Sequence, residues 1–409
     1  MLDDPIDDSL ATTTGLPGFH GLHLRPGLEQ AVEQHFKAPS EVQWRCIPPS
    51  ILGKDVLCQS AYGTGKTVAL VLSILQQLEP LKEEEPNYIK CLVLTPTREG
   101  ALETMDYFNR FGNHLPHARA AHFLGGGARV YQMHELGVQH NRRDTGPRVN
   151  IVVGTPRRVL CLTTQQTATN VKYLDLSRVK HLVLDAADLL LGPQDQARDV
   201  EKLYNQLPPN KQVMIFTLTL KGIQSRLNSW LTDPVKVLYD CGKRPRLHGV
   251  HYQLRTHPRN RMARLVALLS ALDFRKVIIF TSVPDQLQQG LAELPFKTVC
   301  NTPPRKNEQL ALELVMEVHN AFRDGEARVV ICTGVKPPGT RTKAKGLRHL
   351  RCQNRCGYHD ADCIINFDMP MSLEDYCCRI SSLSRVAPQP TVINFMSYVS
   401  DVYFMKQLR

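Results

Sequence analysis

The stretch SAYGTGKT, Ser60 to Thr67, restricts what this chain can fold into more than any other. It follows the apolar run DVLCQ and precedes VALVLSILQQL, which has helical character. A glycine-rich turn between a strand and a helix N-terminus lines up backbone amides that cradle phosphates. In that setting Lys66 reaches the outer phosphate charges and the Thr67 hydroxyl holds Mg²⁺. Ser60, Ala61, Tyr62, Gly63, Thr64, Gly65, Lys66 and Thr67 are therefore the candidate nucleotide-binding residues. The plainer alternative is a chance glycine-rich turn without a ligand.

Such a loop belongs to a parallel sheet, and the surrounding sequence supplies one. KCLVLTP (90–96), NIVVGTP (150–156), KHLVLDA (180–186) and QVMIFT (212–217) are short apolar runs ending in small or polar residues. Strands buried on both faces read this way. Amphipathic stretches such as REGALETMDYFNRF (98–111) supply the crossover helices. The pattern lapses near 239–249, where DCGKRPRLHG carries Gly, Pro and charge, and resumes with KVIIFT (276–281), ARVVICT (327–333) and CIINFDMP (363–370). The expected fold class is α/β, with two tandem domains, each a mainly parallel sheet flanked by helices. The expected boundaries are an acidic tail at 1–18, a first domain at 19–238, a linker at 239–249 and a second domain at 250–409.

Lys plus Arg number 50 against 39 Asp plus Glu, a formal net charge of +11, which favours a polyanionic partner. No apolar run approaches the roughly 18 residues of a membrane span. The start MLDDPIDDSL is acidic rather than a basic signal-peptide region, so neither a span nor a signal peptide is expected. The 12 cysteines lack a disulfide-scaffold spacing and are expected to be mostly small buried thiols.

A phosphate loop needs a carboxylate at a neighbouring strand end to hold Mg²⁺. Asp185, closing HLVLD, has that placement. Capping the next helix is a second role, compatible with the first. Asp188 follows two alanines later and, taken alone, could be an acid in the first turn of that helix.

The order APSEVQ (38–43), SAYGTGKT, PTREGA (96–101), LGGG (124–127), VVGTPRR (152–158), DAAD (185–188) and TLT (217–219) resembles the DEAD-box RNA helicases. PSEVQ, IPPSILGKDVLCQ, LQQLEP and QVMIF bring it nearest to the DECD-type subgroup that acts in mRNA splicing and export. The resemblance covers about residues 19–405. It implies two RecA-like domains closing on ATP, Mg²⁺ and single-stranded RNA held by its backbone. It also implies splicing or export factors as partners, a monomer, and a place in the nucleus, with the cytoplasm as a second location.

Carried over position by position, Gln43 would read adenine, and the aromatic that stacks on it falls at Leu22, with Phe19 one turn away. Pro96, Thr97, Arg98, Gly125, Gly126, Thr155 and Arg158 would contact RNA. Asp188, Thr217, Thr219 and Arg379 would couple the two domains. A plain strand end accounts for the two threonines equally well. Lys66, Asp185 and Arg385 would serve catalysis, with Thr67 and Asp185 on Mg²⁺.

Several positions depart from the family pattern, beginning with Ser60, where Gly or Ala is usual, and Cys378, where the family has a histidine. Ala186 stands where the family has the glutamate that activates water, and losing a general base costs about 10²–10⁴ in rate. In CRISSLSR, Cys378 to Arg385, Ser382 replaces an arginine finger worth about 10³–10⁵. ICTG (331–334) opens a further motif whose Arg-Gly-x-Asp is absent, with Gly357 at the aspartate position. Arg157 replaces a glycine, adding charge where close backbone approach is the family pattern.

The insert at about 336–355 carries Lys336, Arg341, Lys343, Lys345, Arg348, Arg351 and Arg355 without an acid, as an RNA-binding arm or a solvated loop would. Cys352, Cys356, His359 and Cys363 have a zinc-compatible spacing. The expectation is an RNA- and ATP-binding protein with weak or absent hydrolysis. The alternatives are an inactive scaffold or a decayed paralogue.

Overall fold

The computed structural model describes residues 18–80, 88–126, 129–139, 142–143, 149–166, 172–192, 194–239, 249–301, 308–333, 358, 360–370, 372–383, 387 and 389–408. They fall into two compact units, one within Thr13–Gly242 and the other within Lys243–Arg409. Nearly all of the expected tail and linker, all of the basic insert, Cys352, Cys356, His359 and Arg385 lie outside the described residues.

In the first unit the strands are β1 (Val56–Gln59), β2 (Cys91–Leu94), β3 (Ala120–Phe123), β4 (Val138–Gln139), β5 (Arg142–Arg143), β6 (Ile151–Gly154), β7 (His181–Asp185), β8 (Gln212–Thr217) and β9 (Val235–Leu238). Seven of them form one parallel sheet in the order β3-β6-β2-β7-β8-β1-β9, while β4 and β5 pair only with each other. The expected apolar runs are β2, β6, β7 and β8, and every residue of these four strands is buried. The helix Lys66–Gln77 is buried from Lys66 through Leu75. Its apolar side chains therefore serve the core all round rather than along one stripe.

Because the strands run the same way, their C-terminal ends share one edge. Gln59 pairs with Thr217, Asp185 with Phe216 and Phe123 with Gly154. Six motifs of the first unit leave that edge: SAYGTGKT after β1, PTR after β2, LGG after β3, TPRR after β6, DAAD at the end of β7 and TLT at the end of β8, while APSEVQ opens the helix Glu41–Ile51 that precedes β1.

The opposite edge is closed by polar side chains bonded to one another. Asp55 accepts from the Val213 and Thr232 amides, each at 2.7 Å. Gln212 gives its Nε2 hydrogens to the Ser50 and Lys54 carbonyls. Its Oε1 is left to accept from His181 Nδ1 at 2.9 Å, which fixes the imidazole tautomer.

The second unit contains β10 (Val250–Arg255), β11 (Val277–Thr281), β12 (Thr298–Asn301), β13 (Val329–Thr333), β14 (Cys363–Asn366) and β15 (Thr391–Met396). They make a parallel sheet in the order β10-β15-β14-β11-β13-β12. A chain of buried polar groups crosses it. Asn366 Nδ2 donates to Asn394 Oδ1 at 2.8 Å, Asn394 Nδ2 reaches the Tyr376 hydroxyl at 3.2 Å, and that hydroxyl meets His251 Nδ1 at 2.6 Å. Cys363 sits in the core of β14, and burial pushes its thiol up, away from the thiolate a zinc site needs. Among the described residues no helix is long and apolar enough to cross a membrane.

Burial lowers the His181 pKa below its ordinary 6.5, with the Gln212 bond opposing. The unfolded chain therefore takes up a proton on acidification that the folded chain does not. The His181 contribution to stability is full above pH 6.5 and falls as pH drops toward the lower folded value. Urea unfolding at pH 7.5 and 5.5 is expected to show a smaller acid-induced loss in His181→Gln than in the parent. Equal losses would refute this assignment.

Candidate nucleotide and RNA site

The phosphate loop is braced from within. Gly63 and Gly65 take φ of 70° and 91°, a left-handed turn that suits residues without a Cβ. Thr64 Oγ1 donates to the Ala61 carbonyl at 2.9 Å, so the Ser60 hydroxyl, 2.8 Å away, donates to Thr64. Ser60, the position where the sequence departs from the usual Gly or Ala, thus carries a strut across the loop. Lys66 opens the following helix and donates from Nζ to the Ser60 carbonyl at 2.7 Å and the Ala61 carbonyl at 2.6 Å. The Tyr62 ring lies 5.8 Å from the same ammonium, and Thr67 is buried in the first helical turn.

A second element holds this loop from outside. Ser40 caps the helix Glu41–Ile51 in a reciprocal box with Gln43: Ser40 N donates to Gln43 Oε1 at 2.8 Å, and Gln43 N donates to Ser40 Oγ at 3.2 Å. The same two side chains reach the loop, Ser40 Oγ donating to the Thr64 carbonyl at 2.7 Å and Gln43 Nε2 to the Gly65 carbonyl at 3.3 Å. By valence, one Gln43 amide hydrogen and one carbonyl lone pair stay outside these contacts. Phe19 and Leu22 are both buried in a short 3₁₀ turn, so the Phe19 ring is core rather than a surface for stacking.

Asp185 is fully buried at the edge reached by β7. Ala186 follows with φ 60° and ψ 56°, a left-handed conformation that is uncommon for a residue with a Cβ. Asp188 then turns back toward β8. Its Oδ1 lies 2.8 Å from Thr217 Oγ1 and accepts from the Leu218 amide at 3.1 Å, and its own amide donates to Thr217 Oγ1 at 3.2 Å. Thr217 is therefore the hydroxyl joined to Asp188. The Thr219 hydroxyl instead accepts from the Lys221 amide at 3.2 Å and stays with its own turn.

Three adjacent strands bring the remaining motifs of this unit together. Thr97 caps the helix Arg98–Gly112 by accepting from the Gly100 amide at 3.1 Å. The Pro96 carbonyl accepts from Gln196 Nε2 at 3.1 Å. Arg98 Nη2 lies close enough to Gly125 that a Cβ there would touch it at 3.5 Å, and Gly126 turns the chain with φ 85°. Thr155 precedes the helix Pro156–Thr164, in which Arg158 Nε donates to Gln132 Oε1 at 2.6 Å. Gln132 in turn donates to the Leu124 carbonyl at 3.2 Å. Sequence reasoning missed Gln132 and Gln196, because nothing in a helical glutamine signals that it props up a distant loop.

In the second unit Asp368 collects donors at the C-terminal edge: Arg261 Nη2 at 2.7 Å, Thr281 Oγ1 at 3.0 Å, and Ser282 N and Oγ at 2.6 and 2.8 Å. Burial alone would raise this carboxyl, but the Arg261 and Ser282 bonds outweigh it and hold the pKa below its usual value. Arg379, on the helix Leu373–Ile380, is fully buried. Its Nη1 donates to Asn366 Oδ1 at 2.9 Å and to the Asp368 carbonyl at 2.6 Å, and its guanidinium carbon sits 4.9 Å from the Phe280 ring centroid. Burial pulls its pKa down to about 10, with Asp375 and Asp368 opposing, so it stays charged at neutral pH. Ser382 is buried just beyond.

A family model described as DEAD/DEAH box helicase matches residues 40–226. DEAD-box ATP-dependent RNA helicase 15 of Arabidopsis thaliana is 32% identical over 399 residues, spanning 96% of this chain and 84% of that protein. ATP-dependent RNA helicase uap56 of Schizosaccharomyces pombe is 33% identical over 400 residues, spanning 96% and 83%. This chain belongs to the DEAD-box RNA helicase family. Among solved structures, S. cerevisiae Dbp5 bound to RNA and ADP BeF3 shares the fold, with a TM-score of 0.69 at 20% identity over 96% of this chain and 93% of that one.

The donor chemistry of this DEAD-box chain fits Mg²⁺. Thr67 and Asp185 offer a hydroxyl and a carboxylate, the hard oxygen ligands that Mg²⁺ takes. Among the described residues no three His, Cys, Asp or Glu side chains gather into a metal cage. Such a protein site suits an ion that arrives with nucleotide phosphates supplying further oxygens.

Gly65→Ala tests how tightly the loop is held. A Cβ there would collide with the Gln43 amide, and the φ of 91° adds strain of about 1–2 kcal/mol. Placed on the bound loop, that strain is roughly tenfold in affinity. Titration with a fluorescent ATP analogue is expected to show at least this weakening. Binding within twofold of the parent would refute the bracing account.

Proposed function

We propose that this DEAD-box family member binds ATP with Mg²⁺ and grips single-stranded RNA without reading its sequence, while hydrolysing ATP weakly or not at all. The observation that carries this reading is Ala186, whose methyl group stands between Asp185 and Asp188 with no oxygen to accept a proton or orient a water. The phosphate loop supports binding, since Lys66 and the amides of Ser60 to Thr67 occupy a strand-to-helix turn. Mg²⁺, held by Thr67 and Asp185, would neutralise phosphate charge. Gln43 would present its remaining amide valences to a purine edge. Pro96, Thr97, Arg98, Gly125, Gly126, Thr155 and Arg158 would line the RNA backbone, consistent with the net charge of +11.

Ser382 in place of an arginine finger supports the same reading, because a hydroxyl cannot neutralise charge on a transferring phosphoryl group. Arg385 would supply the remaining cation. Asp188 with Thr217, and Arg379 through Asn366 and Asp368, would relay nucleotide state within their own units. The likeness to the DECD-type subgroup supports a nuclear role in mRNA splicing or export beside other processing factors. The intact bracing of the phosphate loop favours a binding protein over a decayed paralogue, because a chain without function has no reason to retain a held loop.

Nucleotide binding and RNA-stimulated phosphate release, measured side by side, test this. The expected result is ATP binding that Lys66→Ala abolishes, with phosphate release near background. Release comparable to an active family member, abolished by Lys66→Ala, would overturn it. Ala186→Glu alone is expected to recover little turnover, since Ser382 still lacks a charge. Strong recovery in that single variant would place the whole defect at position 186.

A further inference from the structure

Arg157 is a cation that the family pattern does not supply, and the fold keeps it out of the core. β6 ends at Gly154, and Arg157 is the second residue of the helix Pro156–Thr164. β6 lies between β3 and β2, so the turn it feeds is flanked by Gly125 and Gly126 on one side and by Arg98 on the other. The neighbouring Arg158 is already committed, its Nε fixed on Gln132. Arg157 is placed differently. Its side chain is 79% exposed, and its Nη1 lies 3.5 Å from Asp199 Oδ1, a carboxylate only 11% exposed.

At 3.5 Å, and with the guanidinium largely in solvent, the contact is long for a charge-assisted bond, so the arginine end is free to turn toward another anion while Asp199 keeps its place. Asp195 faces Arg198, and the first turn of Pro156–Thr164 contains no acid. Asp199 is thus the carboxylate that competes for Arg157.

We propose that Arg157 is an added contact to the RNA phosphodiester backbone, restrained by Asp199 until a strand arrives. The proposal rests on the RNA-binding reading above and deepens it. A guanidinium presents a planar pair of N–H groups that matches a phosphate in two-point, charge-assisted hydrogen bonds. Asp199 offers the same donors a carboxylate and repels the incoming phosphate, so it acts as a brake on binding. The opposing view is that a large side chain in this turn obstructs a strand that a glycine would admit. The two views predict opposite signs.

The test is fluorescence anisotropy of a labelled single-stranded oligouridylate with the full chain and a non-hydrolysable ATP analogue, across a range of KCl. Arg157→Gly is expected to weaken binding several-fold and to make the log–log salt dependence shallower by about 0.7, the loss of one phosphate contact on a single strand. Arg157→Lys is expected to keep the slope, and Asp199→Asn to tighten binding only while Arg157 is present. An unchanged slope or tighter binding in Arg157→Gly overturns the proposal. If Arg98→Ala weakens binding while Arg157→Gly does not, this proposal alone falls. If the folded parent binds no RNA, the underlying reading falls with it.

Discussion

Parallel strands cannot be joined by tight turns. Each needs a crossover that carries the chain back to the edge where it started, and the loops that leave the far edge are thereby gathered in one place. That constraint organises the first unit. Residues as distant in sequence as Ser60 and Thr217 are neighbours because β1 and β8 run side by side and end level. The starting edge is shut by Asp55, His181 and Gln212, whose polar groups are spent on one another and on backbone. Chemistry is left to the other edge.

Much of this was legible in the sequence, for physical reasons. A strand buried on both faces leaves an uninterrupted apolar run, so β2, β6, β7 and β8 could be read directly, whereas β3 (AAHF) and β9 (VKVL) sit at the sheet's two ends, where covering is incomplete and the signal fades. The phosphate loop was readable because its glycines meet a backbone requirement that few residues can. The Ser60 strut and the second function of Gln43 were not, since each depends on a partner brought in by tertiary packing. Arg379 is the clearest case. The motif CRISSLSR marks Arg379 as a coupling residue without its contacts; the fold buries it against Asn366 and Phe280, and only the neighbouring strands could reveal that.

The turn after β7 combines a strained backbone with a minimal side chain. Ala186 keeps a left-handed backbone that costs an L residue about 1–2 kcal/mol, and Asp185 and Asp188 keep their places on either side of it. The alanine has only a methyl group to offer at this turn. Local strain of this kind persists only where surrounding contacts over-determine it. Here the Asp188 link to Thr217 and the Leu218 amide supplies them.

The bonds from Lys66 to the Ser60 and Ala61 carbonyls set a threshold as well as a shape. On the proposed reading, a nucleotide would first have to win that ammonium from the loop's own backbone. Observed affinity is then the intrinsic affinity of the opened loop scaled by the fraction of time it is open. That factor falls equally on every ligand, so loosening the loop would raise affinity without changing which ligand is preferred.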